Sequence, residues 1–240
     1  MQPTVGAANS VILIASDTET KMSKKPTQSA NAYIALPPSG KGTGVLVIHA
    51  WWGLNDFFKG VCDRLAKEGF VAIAPDLFEG QVATTIAGAK RLRAKPKREP
   101  TYKTLIRGIE QLSNHPAVHG STIGVVGFSM GGHWALWLSQ RPELPIGATV
   151  TFYGARGGDY TSSRAAFLGN FAEKDDWVSD AALKKLQKSL ETAGRVAEFF
   201  VYPDTSHWFF ESDRADSYNA QAAEMAWQRT IKFLQKHLKK

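Results

Sequence analysis

Cysteine is almost absent from this chain. Cys62 is the only one in 240 residues, which excludes a disulfide framework and any cysteine-based zinc spacing and suits a reducing compartment. Its apolar-periodic neighbourhood, residues 57–66, marks Cys62 as a buried core thiol rather than a reactive one. Long hydrophobic runs are missing as well. The apolar run over residues 10–15 is far too short to span a bilayer. It also lacks the basic flank and cleavage site of a signal peptide. No helix-turn-helix, zinc or aromatic–glycine RNA signature accompanies the net charge of +7, and no internal repeat or linker is visible. These absences predict a cytoplasmic protein forming one domain over residues 1–240, with residues 1–9 as a loose leader. They point to no nucleic-acid partner, no membrane partner and no metal, and they leave monomer and homodimer equally open.

What is present is an ordinary globular composition, 43% hydrophobic, with ample material for a core. Basic residues cluster at Lys90, Arg91, Arg93, Lys95, Lys97 and Arg98, and again at the carboxyl terminus. A solvated helix face explains the first cluster more economically than a nucleic-acid contact. The periodicity predicts strands over residues 11–14 and 31–36, then a fully apolar strand over 45–48 of the kind buried on both faces of a parallel sheet. A helix over 57–67 stops at Gly69, and a strand over 71–74 completes a right-handed β-α-β unit. Residues 76–100 read as a crossing loop with a short helix, suited to walling a substrate site. Further helices are expected over 102–112, 132–140, 180–193 and 217–238, and strands over 122–126, 147–154, 165–172 and 196–202. This alternation indicates an α/β fold, a mostly parallel central sheet with helices on both faces.

One stretch organises the chemistry. The strand over 122–126 runs into Gly127-Phe128-Ser129-Met130-Gly131 and then a helix. A serine between two glycines at such a turn forms a nucleophile elbow, in which the serine takes a strained positive φ and side chains at the glycine positions would collide with neighbours. The strand over 165–172 is followed by Glu173, Asp175 and Asp176, and the strand over 196–202 by His207. A serine hydroxyl needs a base to take its proton, and the base needs an acid to hold its tautomer. His207 is the expected base. Asp175 is the preferred acid, Asp176 its direct competitor and Glu173 a weaker one. Charge developing on a carbonyl oxygen calls for two backbone N–H donors. One is expected from Met130, the other from the loop over 49–53, with Trp51 preferred. This order of nucleophile, acid and histidine at strand ends is that of the α/β-hydrolase fold.

Taken together, the chain resembles the dienelactone hydrolase family over nearly its whole length. The matching pieces are VIHAWWGLN (residues 47–55), AIAPDLF (72–78), GVVGFSMGG (124–132), Tyr153-Gly154, FAEKDDWV (171–178) and SHWFF (206–210). The resemblance implies hydrolysis of a small-molecule carboxylic ester or lactone through an acyl-Ser129 intermediate, with no cofactor. It favours Asp175 over Asp176, because the family aspartate stands three residues before the valine, here Val178. The chain also departs from the family. Well-known members carry a cysteine where this chain has Ser129, and a glutamate where it has Ala50. Their two substrate-binding arginines correspond to Gly80 and Glu211, and a substrate carboxylate facing Glu211 would be repelled. Arg91, Arg93 or Arg156 could substitute. Trp51, Trp52, Phe57, Tyr153, Trp177, Trp208, Phe210 and Glu211 are the candidates for the substrate pocket, with core packing as the competing explanation for each aromatic. Two other functions stay in view: a dienelactone hydrolase proper acting on carboxylate-bearing lactones, and a non-catalytic member of the fold acting as a binding protein.

Overall fold

The computed structural model of the protein describes Met1 and residues 27–29, 32–94 and 98–238. The strand expected over 11–14 and the leader beyond Met1 lie outside the described residues. Eight strands form one sheet: β1 (Thr27–Ser29), β2 (Ala32–Ala35), β3 (Thr43–Ile48), β4 (Phe70–Pro75), β5 (Ile123–Phe128), β6 (Ile146–Phe152), β7 (Ala166–Lys174) and β8 (Ala197–Ser206). Their order is β1-β2-β4-β3-β5-β6-β7-β8. Strands β3 to β8 run parallel, and β2 is antiparallel to both of its neighbours, β1 and β4. Val45, Leu46, Val47 and Ile48 are completely buried, as a strand covered on both faces requires.

Among the described residues six helices flank the sheet: α1 (Asp56–Lys67), α2 (Ile86–Ala94), α3 (Arg98–Ser113), α4 (Met130–Leu138), α5 (Asp180–Thr192) and α6 (Ala220–Leu238). On one face α1 and α6 are neighbours, joined by the Arg64–Glu224 ion pair at 3.3 Å. On the other, Tyr102 of α3 meets Trp137 of α4 edge-on at 5.0 Å. Helix α1 is capped by the Asn55 side chain, which accepts from the Phe58 N–H, and it turns Phe58, Val61, Cys62 and Leu65 inward. Cys62 is fully buried, and burial pushes its thiol up. No helix among the described residues is long and apolar enough to cross a membrane.

Several boundaries move. Helix α3 starts at Arg98, four residues before the expected 102, because Pro100 falls in the first turn, where a missing N–H costs no intrahelical bond. Helix α4 begins directly after Ser129 rather than at 132. Strand β8 continues past residue 202 to Ser206 through Pro203. It lies at the edge of the sheet and pairs only with β7, a place where a proline is tolerated.

The chain runs from β3 to β4 on one side, then crosses to β5 on the other. That reversal opens a crevice beyond the carboxyl ends of β3 and β5, the usual ligand position in an open α/β sheet. Ile48 and Gly127 are register partners there, so the loop after β3 and the turn after β5 emerge side by side.

Candidate active site

At the end of β5 the backbone turns through Ser129 with φ 51° and ψ −111°. A Cβ on Gly127 would overlap the Gly131 carbonyl, and one on Gly131 would overlap the Ile48 carbonyl. The two glycines are therefore fixed by the close approach of β3, the turn and α4. The turn is held by the Ser129 N–H donating to Phe152 O at 2.9 Å.

Ser129, His207 and Asp175 form a continuous hydrogen-bonded chain. Ser129 Oγ lies 2.8 Å from His207 Nε2, and His207 Nδ1 lies 2.8 and 2.9 Å from the two Asp175 carboxylate oxygens. With the imidazole proton on Nδ1, facing the carboxylate, Nε2 is free to accept from the serine. Asp175 Oδ1 also accepts from the N–H groups of Trp177 (2.8 Å) and Val178 (2.9 Å), which aims the carboxylate at the ring. Both side chains are buried, His207 at 4% exposure and Asp175 at 6%. Asp176 is exposed and stands outside this chain. Glu173 turns away and accepts from the Asp204 N–H at 3.0 Å.

The loop after β3 is braced by His49, which is fully buried. Its Nδ1 meets Ala50 O at 2.6 Å and its Nε2 accepts from the Leu77 N–H at 3.1 Å. Burial pushes its pKa down, so a neutral imidazole ties the loop after β3 to the loop after β4. The Trp51 N–H in that loop has no acceptor among the described residues. Met130 is the first residue of α4, where a backbone N–H has no intrahelical partner. Both residues border the same cavity as Ser129 and His207.

That cavity holds about 400 Å³. Of the expected pocket residues, Trp51, Tyr153, Trp177 and Trp208 line it, whereas Trp52, Phe57, Phe210 and Glu211 do not. Trp52 and Phe210 are each 2% exposed. Phe57 packs edge-on against Phe58, Phe128 and Phe210 at 5.1 to 6.4 Å. Trp52 and Phe210 belong to the core, and Phe57 is partly buried against it. Glu211 is fully buried and faces Tyr153 instead of the cavity. Desolvation pushes its pKa up to about 8, and Asp213 adds to this; Tyr153 and Arg214 act in the opposite sense.

The segment over 76–100, expected to wall the site, contributes Leu77, Phe78, Arg93 and Arg98, Arg93 being one of the arginines named from the sequence; Thr101, His133 and Trp134 were missed. His133 and Trp134 follow the elbow by one helical turn, so their spacing from Ser129 was a usable signal. The basic cluster is split. Its residues 95–97 lie outside the described residues, Lys90 sits 5.9 Å over the Trp177 ring, and Arg93 and Arg98 face the cavity. Lys90, Arg91, Arg93 and Arg98 are exposed, as a solvated face requires, and Arg93 and Arg98 border the cavity as well. Arg156 does not line the cavity but donates to His133 Nε2. Burial, then Arg156, lowers the His133 pKa and favours its neutral form.

The sequence profile of the dienelactone hydrolase family matches residues 30–238. The chain is 32% identical over 216 residues to the protein usf of Aquifex pyrophilus, covering 86% of this chain and 93% of the other. It is 30% identical over 217 residues to an Aquifex aeolicus (strain VF5) protein provisionally named a carboxymethylenebutenolidase, again covering 86% and 93%. Among solved structures, a protein of Klebsiella pneumoniae subsp. pneumoniae provisionally named a dienelactone hydrolase superposes with a TM-score of 0.75. The two are 25% identical, with 86% of this chain and 92% of the other covered.

Proposed function

The chain belongs to the dienelactone hydrolase family and is a hydrolase of esters or lactones; from that premise we propose that it works through an acyl-enzyme on Ser129. The observation that carries this reading is the 2.8 Å contact between Ser129 Oγ and His207 Nε2, with Asp175 2.8 Å behind the ring. As Ser129 Oγ attacks the carbonyl carbon, His207 Nε2 takes its proton, and Asp175 stabilises the imidazolium. The oxyanion is received by the N–H groups of Trp51 and Met130. The imidazolium then protonates the departing alkoxide. Water, deprotonated by His207, releases the acid and restores the serine. Ala50 suits this chemistry. A hydroxyl cannot rest as an anion near neutral pH the way a thiol can, so direct base-assisted attack needs no further carboxylate at that position. One hydrolase domain in the cytoplasm completes the proposal, with the lone buried thiol of Cys62 in its favour.

Replacing Ser129 by Ala tests the assignment. We expect loss of at least about 10³-fold in kcat/KM on a short activated ester with an unchanged circular dichroism spectrum. Mass spectrometry of wild-type protein after treatment with an organophosphonate should find the adduct on Ser129. Undiminished turnover by the Ala variant would sink the assignment.

A second reading, hydrolysis of carboxylate-bearing lactones, is favoured by Arg93 and Arg98. Both line the cavity, and neither pairs with a carboxylate among the described residues. Glu211, sealed behind Tyr153, offers no repulsion to such a substrate. Turnover of a carboxylate-bearing lactone against its neutral methyl ester decides it; preference for the neutral compound removes this reading.

A further inference from the structure

Glu211 is a carboxyl group in a place where a fold has little use for one. It is 0% exposed, and one oxygen, Oε1, accepts from the Tyr153 hydroxyl at 2.8 Å. Among the described residues its Oε2 has no partner within hydrogen-bond distance, and the Trp52 indole N–H is the further donor that acts on the carboxylate. Among the same residues no cation lies within ion-pair distance: Arg214, in the same turn, pairs with Asp213 at 3.2 Å and lies 3.8 Å over the Trp52 ring. Glutamine or leucine would fill the same space without burying an ionisable group. The turn that carries Glu211 starts at His207 and is closed by the Glu211 N–H donating to Trp208 O at 2.8 Å.

The partner of Glu211 explains its position. The Tyr153 ring packs against the His207 imidazole with centroids 4.8 Å apart and planes at 57°. Hydrogen bonds to Asp175 and Ser129 fix the imidazole along the line between its two nitrogens but leave it free to tilt about that line. The Tyr153 ring limits that tilt on its side, and Trp208 (5.0 Å) and Trp177 (6.3 Å) are the other ring neighbours of the imidazole. Tyr153 has φ 38°, a conformation a bulky residue keeps only when its surroundings over-determine it. Its N–H donates to Asn170 O at 2.8 Å, the ring packs edge-on against Phe209 at 5.6 Å, and among the described residues the hydroxyl is bonded to Glu211.

We propose that Glu211 is a positioning residue for the hydrolysis: by anchoring the Tyr153 hydroxyl it fixes the tilt of His207 toward Ser129. This rests on the acyl-Ser129 reading. The test uses full-length Tyr153→Phe, Glu211→Leu, Glu211→Gln and the double variant Tyr153→Phe/Glu211→Leu. Thermal melts and near-ultraviolet circular dichroism establish which of them fold. The measurements are kcat and KM, separately, on a short activated ester, and the rate of Ser129 phosphonylation. Tyr153→Phe and Glu211→Leu should each lower kcat and the phosphonylation rate by about 10- to 100-fold, the scale of a small misplacement of a reacting group. KM should stay within about twofold, as for an interaction made only in the transition state. The double variant should be no worse than the weaker single one, because the two residues act as a unit. Glu211→Gln, which still offers an acceptor to Tyr153, should recover kcat to within about threefold of wild type, since it keeps the hydrogen bond. If Glu211→Leu does not fold, Tyr153→Phe and Glu211→Gln decide alone. Wild-type kcat in folded Tyr153→Phe, losses that multiply in the double variant, or a loss confined to KM would overturn the proposal. Failure of the acyl-Ser129 reading shows separately, as absence of the phosphonate adduct from wild-type Ser129.

Discussion

The effect of replacing Glu211 by Gln on stability should become steadily more favourable as pH rises. The Glu211 carboxyl is pushed from its ordinary 4.5 up to about 8 by burial. Between those values the unfolded chain has released the proton while the folded chain still holds it, so stability falls as pH rises. The contribution is fully present below about pH 4.5, drains away across the window, and is gone above about pH 8. At about 1.4 kcal/mol for each unit, the full window is worth about 5 kcal/mol, and the interval from pH 5 to pH 8 about 3–4 kcal/mol. Glutamine carries no such term. Its amide nitrogen, placed where Oε2 has no partner, would cost about 1–3 kcal/mol, but equally at every pH, so that cost cancels in the difference. Urea denaturation of both proteins at pH 5 and pH 8, at constant ionic strength, measures it directly. The gain from Glu211→Gln should be about 3–4 kcal/mol larger at pH 8. A gain that is the same at both pH values, with unchanged m-values, would refute the reasoning and mean that Glu211 is solvated or paired with a cation.

Other perturbations are equally specific. Asp175→Asn should reduce kcat by about 10⁴-fold by stabilising the wrong imidazole tautomer, whereas Asp176→Asn should leave it within about twofold, as expected of a surface change; equal losses in the two would leave the acid unassigned. Gly131→Ala drives a methyl into the Ile48 carbonyl and should lower stability by about 2–4 kcal/mol through backbone displacement, read as a fall in melting temperature together with loss of turnover. A folded, fully active Gly131→Ala protein would show that the turn can yield without disturbing Ser129.

The parts legible in the sequence were those where a local pattern has a single physical cause. The uninterrupted apolar run over residues 45–48 could only suit a strand buried on both faces. The glycines around Ser129 mark close backbone approach; His207 and the acids over 173–176 were singled out because each follows a strand at its carboxyl end, and the resemblance favoured Asp175, which the structure places 2.8 Å from His207. The direction of a side chain within a turn was not legible. Glu211 lies four residues beyond His207 and was expected to face the substrate, yet the turn closed by the Glu211–Trp208 backbone bond points it inward at Tyr153. Trp52, Phe57 and Phe210 carry no sequence mark that separates a core ring from a pocket ring. Arg93 was named among the possible partners of a substrate carboxylate, whereas Arg98 was read only as part of the charge cluster, because the side of the sheet on which α3 begins is not contained in its own periodicity. The reach of β8 to Ser206 depended on its edge position, a property of strand order that the segment itself does not contain.

The placement of the site beyond the ends of β3, β5, β7 and β8 has a consequence for how the protein comes into being. Ser129 and His207 are 78 positions apart and His207 and Asp175 are 32 apart. The Asn55 side chain, which caps α1, reaches across 158 positions to bond Asp213 at 2.8 Å. Contacts of such sequence separation carry a large loop-closure cost and form late, and parallel pairing is the slowest kind to nucleate. Secondary structure should therefore return early on dilution from denaturant, well before any Ser129 can be phosphonylated. A chain still emerging from the ribosome would carry Ser129 without the imidazole beside it until the 78 positions up to His207 have been made and the eighth strand has docked. On the acyl-Ser129 proposal, hydrolysis is expected to begin only from that point of synthesis.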